Sequence, residues 1–409
     1  MKKKKVLLIS PQPFFQWRGS PIRVGFNAMA LVEAGYEVDL LTLPIGERRE
    51  IEGVRIIRVA NPLRLNNIPI GPSLPKLFFD LLILLKGITL IRQGEYEVIH
   101  GIEEAGMIAV ILSRLAGCRA VFEKHSDPFS YKKGFVKNCL LRLYAGVEKA
   151  TVKRVKAVIG TGPGLVKQVE DMGYRVPAYH IFDIPSSLVD PRPDNIARIR
   201  DELRQQEDEV LITFVGSFAV YQGVDLLFAA VPRVLGVCPR ARFIIIGGSG
   251  EEIDQRRRVL REQGSLGGVS FLGKIAPDIL PDYLAAADIL LSPRISGVNT
   301  PLKLLDYLKA GRAIVATDVE ANRLILNEET ASLAAPDAPA LAAAITALVD
   351  DSGRRREMGK RGRELYETKY NFTQYCRRLA ACYRYVTAET PSADDNGANS
   401  RKSDHATGH

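Results

Sequence analysis

The sequence predicts an α/β protein of two domains, each built on an open parallel sheet. Three observations predict it. Residues 6–10, 97–100, 211–215 and 289–291 are short and largely apolar, as strands buried on both faces are. They alternate with stretches whose apolar residues recur at helical spacing. The rhythm breaks at residues 181–194, IFDIPSSLVDPRPD, and then restarts, in a chain of 409 residues that is long for one core. This sets a first domain at 1–185 and a second at 186–370, with a helix at 371–387 and a polar tail at 388–409 expected to lack order.

In chain order, residues 6–10 form the first strand. Gly19 and Ser20 make a tight turn, and Pro21 opens a helix through Ala34. Arg18 and Arg23 flank that turn, where either could meet a phosphate or an acceptor. Residues 36–43 and 54–59 are strands, 61–74 a loop rich in Pro and Asn, and 76–93 a helix with an unusually apolar face. The strand at 97–100 leads into GIEEAG, and that at 120–123 into KHSDPFSYKKG. Ligands of open parallel sheets sit beyond the C-terminal strand ends. His100, Glu103, Glu104, His125 and Asp127 are therefore acceptor-side candidates. Residues 131–156 carry eight Lys and Arg against the single acid Glu148, either a solvated helix face or a patch for anionic lipid. AVIGTGPG at 157–164 has the wrong glycine spacing for a dinucleotide site and reads as a strand and turn.

In the second half, strands at 211–215, 242–247 and 269–272 precede DILLSPRISGVNTPLKLLDYLKAGRAIVATD, residues 288–318. There a strand at 289–291 is followed by a small polar loop. Thr300 suits the N-cap and Pro301 the first helical position. Leu302, Leu305 and Leu308 mark the buried stripe, and Gly311 closes the helix. The helix start is an anion site by virtue of its unpaired N–H groups and dipole, and Lys303 adds a full charge. Asp306, one turn on, can accept from two neighbouring hydroxyls, as a ribose offers.

The motif LLDYLKAGRAIVAT resembles the C-terminal signature of family 4 retaining glycosyltransferases, which have the GT-B fold of two Rossmann-like domains facing across a cleft. The resemblance spans nearly the whole chain. It implies transfer of a sugar from a nucleotide diphosphate sugar to a hydroxyl, with retention and without a metal. It implies no cofactor. The signature's second acid maps to Asp306, which would hold the ribose; its first maps to Val298, with Asn299 and Thr300 as the nearest replacements. Gly19 resembles a glycine that lets the first loop approach the donor phosphates. In GSFAVYQGVDLL, Gly216, Gly223 and Asp225 match, while Ser217 and Gln222 stand where the family has a phosphate-binding Arg and Lys. Lys274 and Ile275 map to the backbone that holds the base, and His125 to a histidine near the donor sugar, which Ser20 would help to shape. Backbone groups at 300–302 and Lys303 would neutralise the departing diphosphate. The helix at 371–387 would cross back to the first domain. Other readings are a nucleotide-sugar epimerase of the same fold, and a non-catalytic subunit that binds a partner.

A net charge of +9 favours anionic partners, and no aromatic–basic interleaving points to nucleic acid. Five scattered cysteines without C-x-x-C spacing give neither a disulfide framework nor a zinc site. The apolar run VLLI is shorter than the roughly 7–15 residues of a secretory core. With the basic segment at 131–156, these point to a cytoplasmic protein that can sit peripherally on the inner membrane face, and the resemblance implies a nucleotide sugar and a sugar or lipid-linked acceptor as its partners.

Overall fold

The computed structural model describes residues 4–15, 19–68, 73–127, 135–297 and 300–388, with the backbone alone at 135–141. Seven parallel strands form the first sheet in the order β3-β2-β1-β4-β5-β6-β7. They are β1 (Lys5–Ser10), β2 (Glu37–Thr42), β3 (Val54–Arg58), β4 (Val98–Ile102), β5 (Arg119–Lys124), β6 (Ala157–Gly160) and β7 (Ala178–His180). Six parallel strands form the second in the order β10-β9-β8-β11-β12-β13. They are β8 (Val210–Val215), β9 (Ala241–Ile246), β10 (Val269–Gly273), β11 (Ile289–Ser292), β12 (Ala313–Thr317) and β13 (Ser332–Ala334). Strand order reverses between β1 and β4 and between β8 and β11. The loops leaving those strands open there into a crevice, where ligands of such sheets bind.

The helices sit where helical spacing demands. In α1 (Gly19–Glu33), Val24, Phe26, Ala28 and Leu31 are buried against the first sheet. In α2 (Leu74–Gln93), Ser73 caps the N-terminus, and Phe79, Ile83 and Leu90 pack inward. Leu74, Leu77, Leu81 and Leu85 stand 83%, 62%, 51% and 52% exposed, at a spacing that keeps them in one row. Sequence shows an apolar face here, and burial on the sheet accounts for only half of it. Next to it lies α3 (Ala105–Ala116), exposing Ile111 and Leu115, and on α3 packs α4 (Phe135–Val152), exposing Leu143 and Val147.

The chain crosses between domains twice. α6 (Pro193–Leu203) packs on α9 (Leu280–Ala286) of the second sheet's domain. After α13 (Ser352–Leu365) a π-helical turn at Tyr366–Tyr370 redirects the chain into α14 (Phe372–Thr387), which packs on α1. Tyr375, Leu379, Cys382, Tyr383 and Val386 of α14 belong to the core under the first sheet. Among the described residues no helix is long and apolar enough to cross a membrane.

Candidate functional site

The cleft holds a cavity of about 630 Å³ lined from both domains. Gly19, Ser20, Arg23, His125 and Asp127 line it from the first, and Thr300, Leu302 and Glu320 from the second. Here the N-terminus of α1 meets that of α10 (Leu302–Ala310). A Cβ on Gly19 would lie 3.1 Å from Leu302 Cδ1, so the glycine permits this approach. Two sets of unpaired helical N–H groups thus face one space. The start of α10 differs slightly from expectation. Pro301, with φ −76° and ψ 104°, is the N-cap; the Thr300 side chain does not cap, and Pro301 brings no N–H.

His125 is held at both ring nitrogens. Nε2 lies 2.8 Å from Glu123 Oε1, and Nδ1 2.9 Å from Ser20 Oγ. A carboxylate only accepts, so a proton sits on Nε2, while the Ser20 hydroxyl can either donate to Nδ1 or accept from it. Glu123 is wholly buried at the end of β5 and is the hub of the site. It accepts from Arg23 Nε and from Asn27 Nδ2, and His100 Nε2 lies 3.0 Å from its other oxygen. Burial opposes its charge, but Arg23, His100 and His125 hold its carboxyl well below the usual range. α14 reaches the same network: Tyr375 Oη donates to Asn27 Oδ1 at 2.6 Å, and Tyr383 Oη lies 3.0 Å from His100 Nδ1.

Two acceptor-side expectations are corrected here. His100 is fully buried between Glu123 and Tyr383 and reaches no ligand, because β4 runs two residues further than its pattern suggests, to Ile102. Arg23 is neither solvated nor free: Glu123 holds Nε and Asp183 holds Nη1. Glu103 turns through φ +50° and accepts from the His125 N–H at 2.9 Å and from Ser126 Oγ, so it shapes the loop. Burial pushes its carboxyl up to about 7. Glu104 precedes α3 on the side of Asp80 and Tyr144, off the cleft lining. Arg18 lies outside the described residues.

On the second domain, Lys303 Nζ donates to Gln222 Oε1 at 2.9 Å, approaches the Val215 carbonyl at 3.5 Å and lies 4.7 Å over the Phe214 ring. Burial, then Arg294, push its amine down to about 7. Gly223 makes this approach possible. At φ +69°, a Cβ would fall 1.8 Å from the Pro293 carbonyl, so only glycine brings the loops after β8 and β11 together. Gly216 and exposed Ser217 lie in the first of these loops. Arg294 is a residue that sequence reasoning missed. It is 8% exposed, bonds the Ser296 carbonyl at 2.7 Å and stacks on Tyr221. Neither Arg294 nor Lys303 has a carboxylate partner among the described residues. Lys303 is therefore not the only cation at this strand end.

Asp306 faces the interdomain linker. Its Oδ1 accepts from the Ser186 N–H at 2.7 Å, and Ser186 Oγ lies 3.0 and 2.9 Å from its two oxygens. Burial raises its carboxyl to about 6 against those bonds. A ribose diol would have to displace the Ser186 hydroxyl. Lys274 is exposed after β10, and Ile275 packs beside β8 and β9. Val298 and Asn299 lie outside the described residues.

Residues 19–185 match the family described as Glycosyl transferase 4-like domain, and residues 209–351 match Glycosyl transferases group 1. Over 184 residues the chain is 27% identical to a phosphatidyl-myo-inositol mannosyltransferase of Mycolicibacterium smegmatis, covering 44% of this chain and 46% of that protein. That match thus spans less than half of the mannosyltransferase. Over 369 residues it is 23% identical to the phosphatidylinositol N-acetylglucosaminyltransferase gpi3 subunit of Schizosaccharomyces pombe, covering 88% of this chain and 76% of the other. A sucrose-phosphate synthase from Thermosynechococcus elongatus shares the fold with a TM-score of 0.74 at 23% identity, over 94% of this chain and 99% of that one. Anabaena Alr3699/HepE, solved with UDP and glucose, does so with a TM-score of 0.68 at 14% identity, over 93% and 99%.

Proposed function

We propose that this chain, which belongs to the family 4 glycosyltransferases with the GT-B fold, moves a sugar from a nucleotide diphosphate sugar to a hydroxyl of a glycan or glycolipid acceptor. The observation that carries the reading is the pairing of Lys303 and Arg294, two cations without carboxylate partners, beside the helix start that meets Ser20 and His125 across the cleft. The departing diphosphate gains negative charge in the transition state. Fixed positive groups in a site shielded from water stabilise that charge more than they stabilise the ground state. Lys303, Arg294 and the first N–H groups of α10 take this role without a metal, and transfer proceeds with retention. His125, locked by Glu123 and Ser20, borders the space for the sugar and the attacking hydroxyl.

The experiment is release of nucleoside diphosphate from a panel of nucleotide sugars, without and with acceptor. Slow release alone that quickens with an acceptor supports transfer. Interconversion of the sugars would mark an epimerase, and neither reaction a non-catalytic subunit. His125→Ala should lower turnover by a factor of about 10²–10⁴, with the donor dissociation constant nearly unchanged. Unchanged turnover in a folded variant would remove His125 from the site.

The acceptor end of this reading includes an anionic membrane surface. The leucine row of α2, Ile111 and Leu115 of α3, and Leu143 and Val147 of α4 leave apolar side chains exposed on helices packed in succession, and Lys86, Arg114, Arg142, Lys149 and Lys153 are exposed on or beside the same helices. Apolar side chains with flanking cations match a surface of anionic headgroups over acyl chains. Lys156 does not serve this face, since its ammonium stacks 5.4 Å over the Tyr385 ring of α14. Each engaged cation contributes about 1 kcal/mol, screened within a Debye length of about 8 Å at physiological salt. Co-sedimentation with vesicles should require anionic lipid and fall as salt rises. Arg142, Lys149 and Lys153 changed to Glu should abolish it with the melting temperature kept. A wild type that ignores anionic vesicles at low salt would make this a solvated surface.

A further inference from the structure

Behind the main cleft lies a second cavity of about 280 Å³, which shares Thr161, Asp183 and Thr300 with the first. Its far wall is His180 and Phe182 from the first domain, and Lys369 and Tyr370 from the π-helical turn. Two cations crowd one ring there. Lys369 Nζ lies 4.6 Å from the Phe182 centroid and 5.0 Å from that of Tyr370, and the Arg378 guanidinium lies 4.1 Å from Phe182. Neither cation makes a hydrogen bond or ion pair to any described residue. The one acid lining this cavity, Asp183, already carries Arg23 on Oδ1. The His180 ring lies tilted against Phe182 with centroids 4.0 Å apart, and its Nε2 is buried without a partner among the described residues.

We propose that this cavity is an anion subsite that takes a phosphoryl group. Ring faces attract the two cations but supply no charge, so they offset only part of the cost of bringing like charges together. A phosphoryl group beside Lys369 would neutralise the ammonium with charge-assisted hydrogen bonds, and its charge would act on the neighbouring His180 ring. A water takes up about 30 Å³ of liquid, so the cavity has room for the group and some of its hydration. Because the cavity opens onto the cleft through Thr161, Asp183 and Thr300, the phosphoryl group can belong to a cleft-bound molecule or be a free ion. Binding here does not depend on the transferase reading.

His180 reports on its own site. Burial, with Arg378 adjacent, pushes its imidazole down to about 4. An anion in the cavity beside this ring favours the imidazolium, so binding must raise that value. The experiment follows histidine-labelled protein by NMR, with His180→Gln used only to assign the signal. Inorganic phosphate, glycerol 3-phosphate and sodium chloride of matched ionic strength are compared. Phosphate should raise the His180 pKa by about one unit or more, a tenfold preference for the protonated ring. Lys369→Met keeps the apolar contact with both rings and should weaken phosphate binding about tenfold. Response to both phosphates shows that a carried group fits, and response to the inorganic ion alone shows a free-ion site; each supports the subsite. A His180 signal that moves no more with phosphate than with chloride, or moves equally in a folded Lys369→Met variant, overturns it.

Discussion

Arg294→Ala should weaken binding of a nucleoside diphosphate about 10- to 100-fold while leaving the nucleoside almost unaffected. Buried Arg294 and half-buried Lys303 have no carboxylate partner among the described residues, and a hydrogen bond to a charged group contributes about 1.5–3 kcal/mol. Lys303→Ala should act similarly and also free Gln222 Oε1. The two differ in pH behaviour. Burial and Arg294 depress the Lys303 amine to about 7, so above that pH the free protein holds it neutral. A bound diphosphate restores the charge and raises the pKa. Binding therefore takes up a proton above pH 7, and affinity falls as pH rises from there toward the pKa of the complex. Arg294→Ala removes the like charge, so this falling limb should move to higher pH; Lys303→Ala should erase it. Calorimetry with the nucleoside diphosphate of whichever donor the release panel identifies, in buffers of different ionisation enthalpy, measures the proton directly. Equal and small losses for nucleoside and diphosphate would make both residues structural.

Glu123→Gln should cost both stability and turnover. It leaves the Arg23 guanidinium, 3% exposed, with only Asp183 as counter-charge, and breaking a buried pair costs about 3–5 kcal/mol. The folded carboxyl titrates well below its usual value. Its contribution is thus fully present above the unfolded pKa and lost as pH falls toward the folded one, so the wild type should lose its advantage over the variant in acid. A positioning role makes a separate demand. Glu123 fixes the proton of His125 on Nε2, and a glutamine amide can present either a donor or an acceptor. Arg23→Met combined with Glu123→Leu should recover much of the melting temperature, as apolar replacements of buried pairs often do, yet leave turnover depressed. Recovery of both would reduce Glu123 to a structural anchor.

Much of this site can be read in the chain because its signals are local. Gly311, the leucine stripe and the Lys303–Asp306 spacing fix α10 within a few residues, and Gly19 and Gly223 occupy turns that need them. Glu123 cannot be read that way. It is one acid at the end of an apolar strand, and its partners Arg23, Asn27 and His100 meet it only once α1 and β4 pack on β5. Arg294 looks like any arginine after a strand until Tyr221, on a separate loop, stacks under it. The leucines of α2 show the reverse limit. Apolar residues lie on most sides of that helix, and only packing against the sheet decides which row faces out.

The reach of α14 into the first domain has a consequence for how the protein is made. The first sheet is complete at β7, but Tyr375 and Tyr383, which close the polar network around Asn27 and His100, are synthesised about 200 residues later. At ~5–20 residues per second, a nascent first domain waits roughly 10–40 s with that seam open. During translation His125 therefore sits on an unfinished support. Competence would arrive only as the ribosome finishes α14, which keeps a half-made chain from acting on donor.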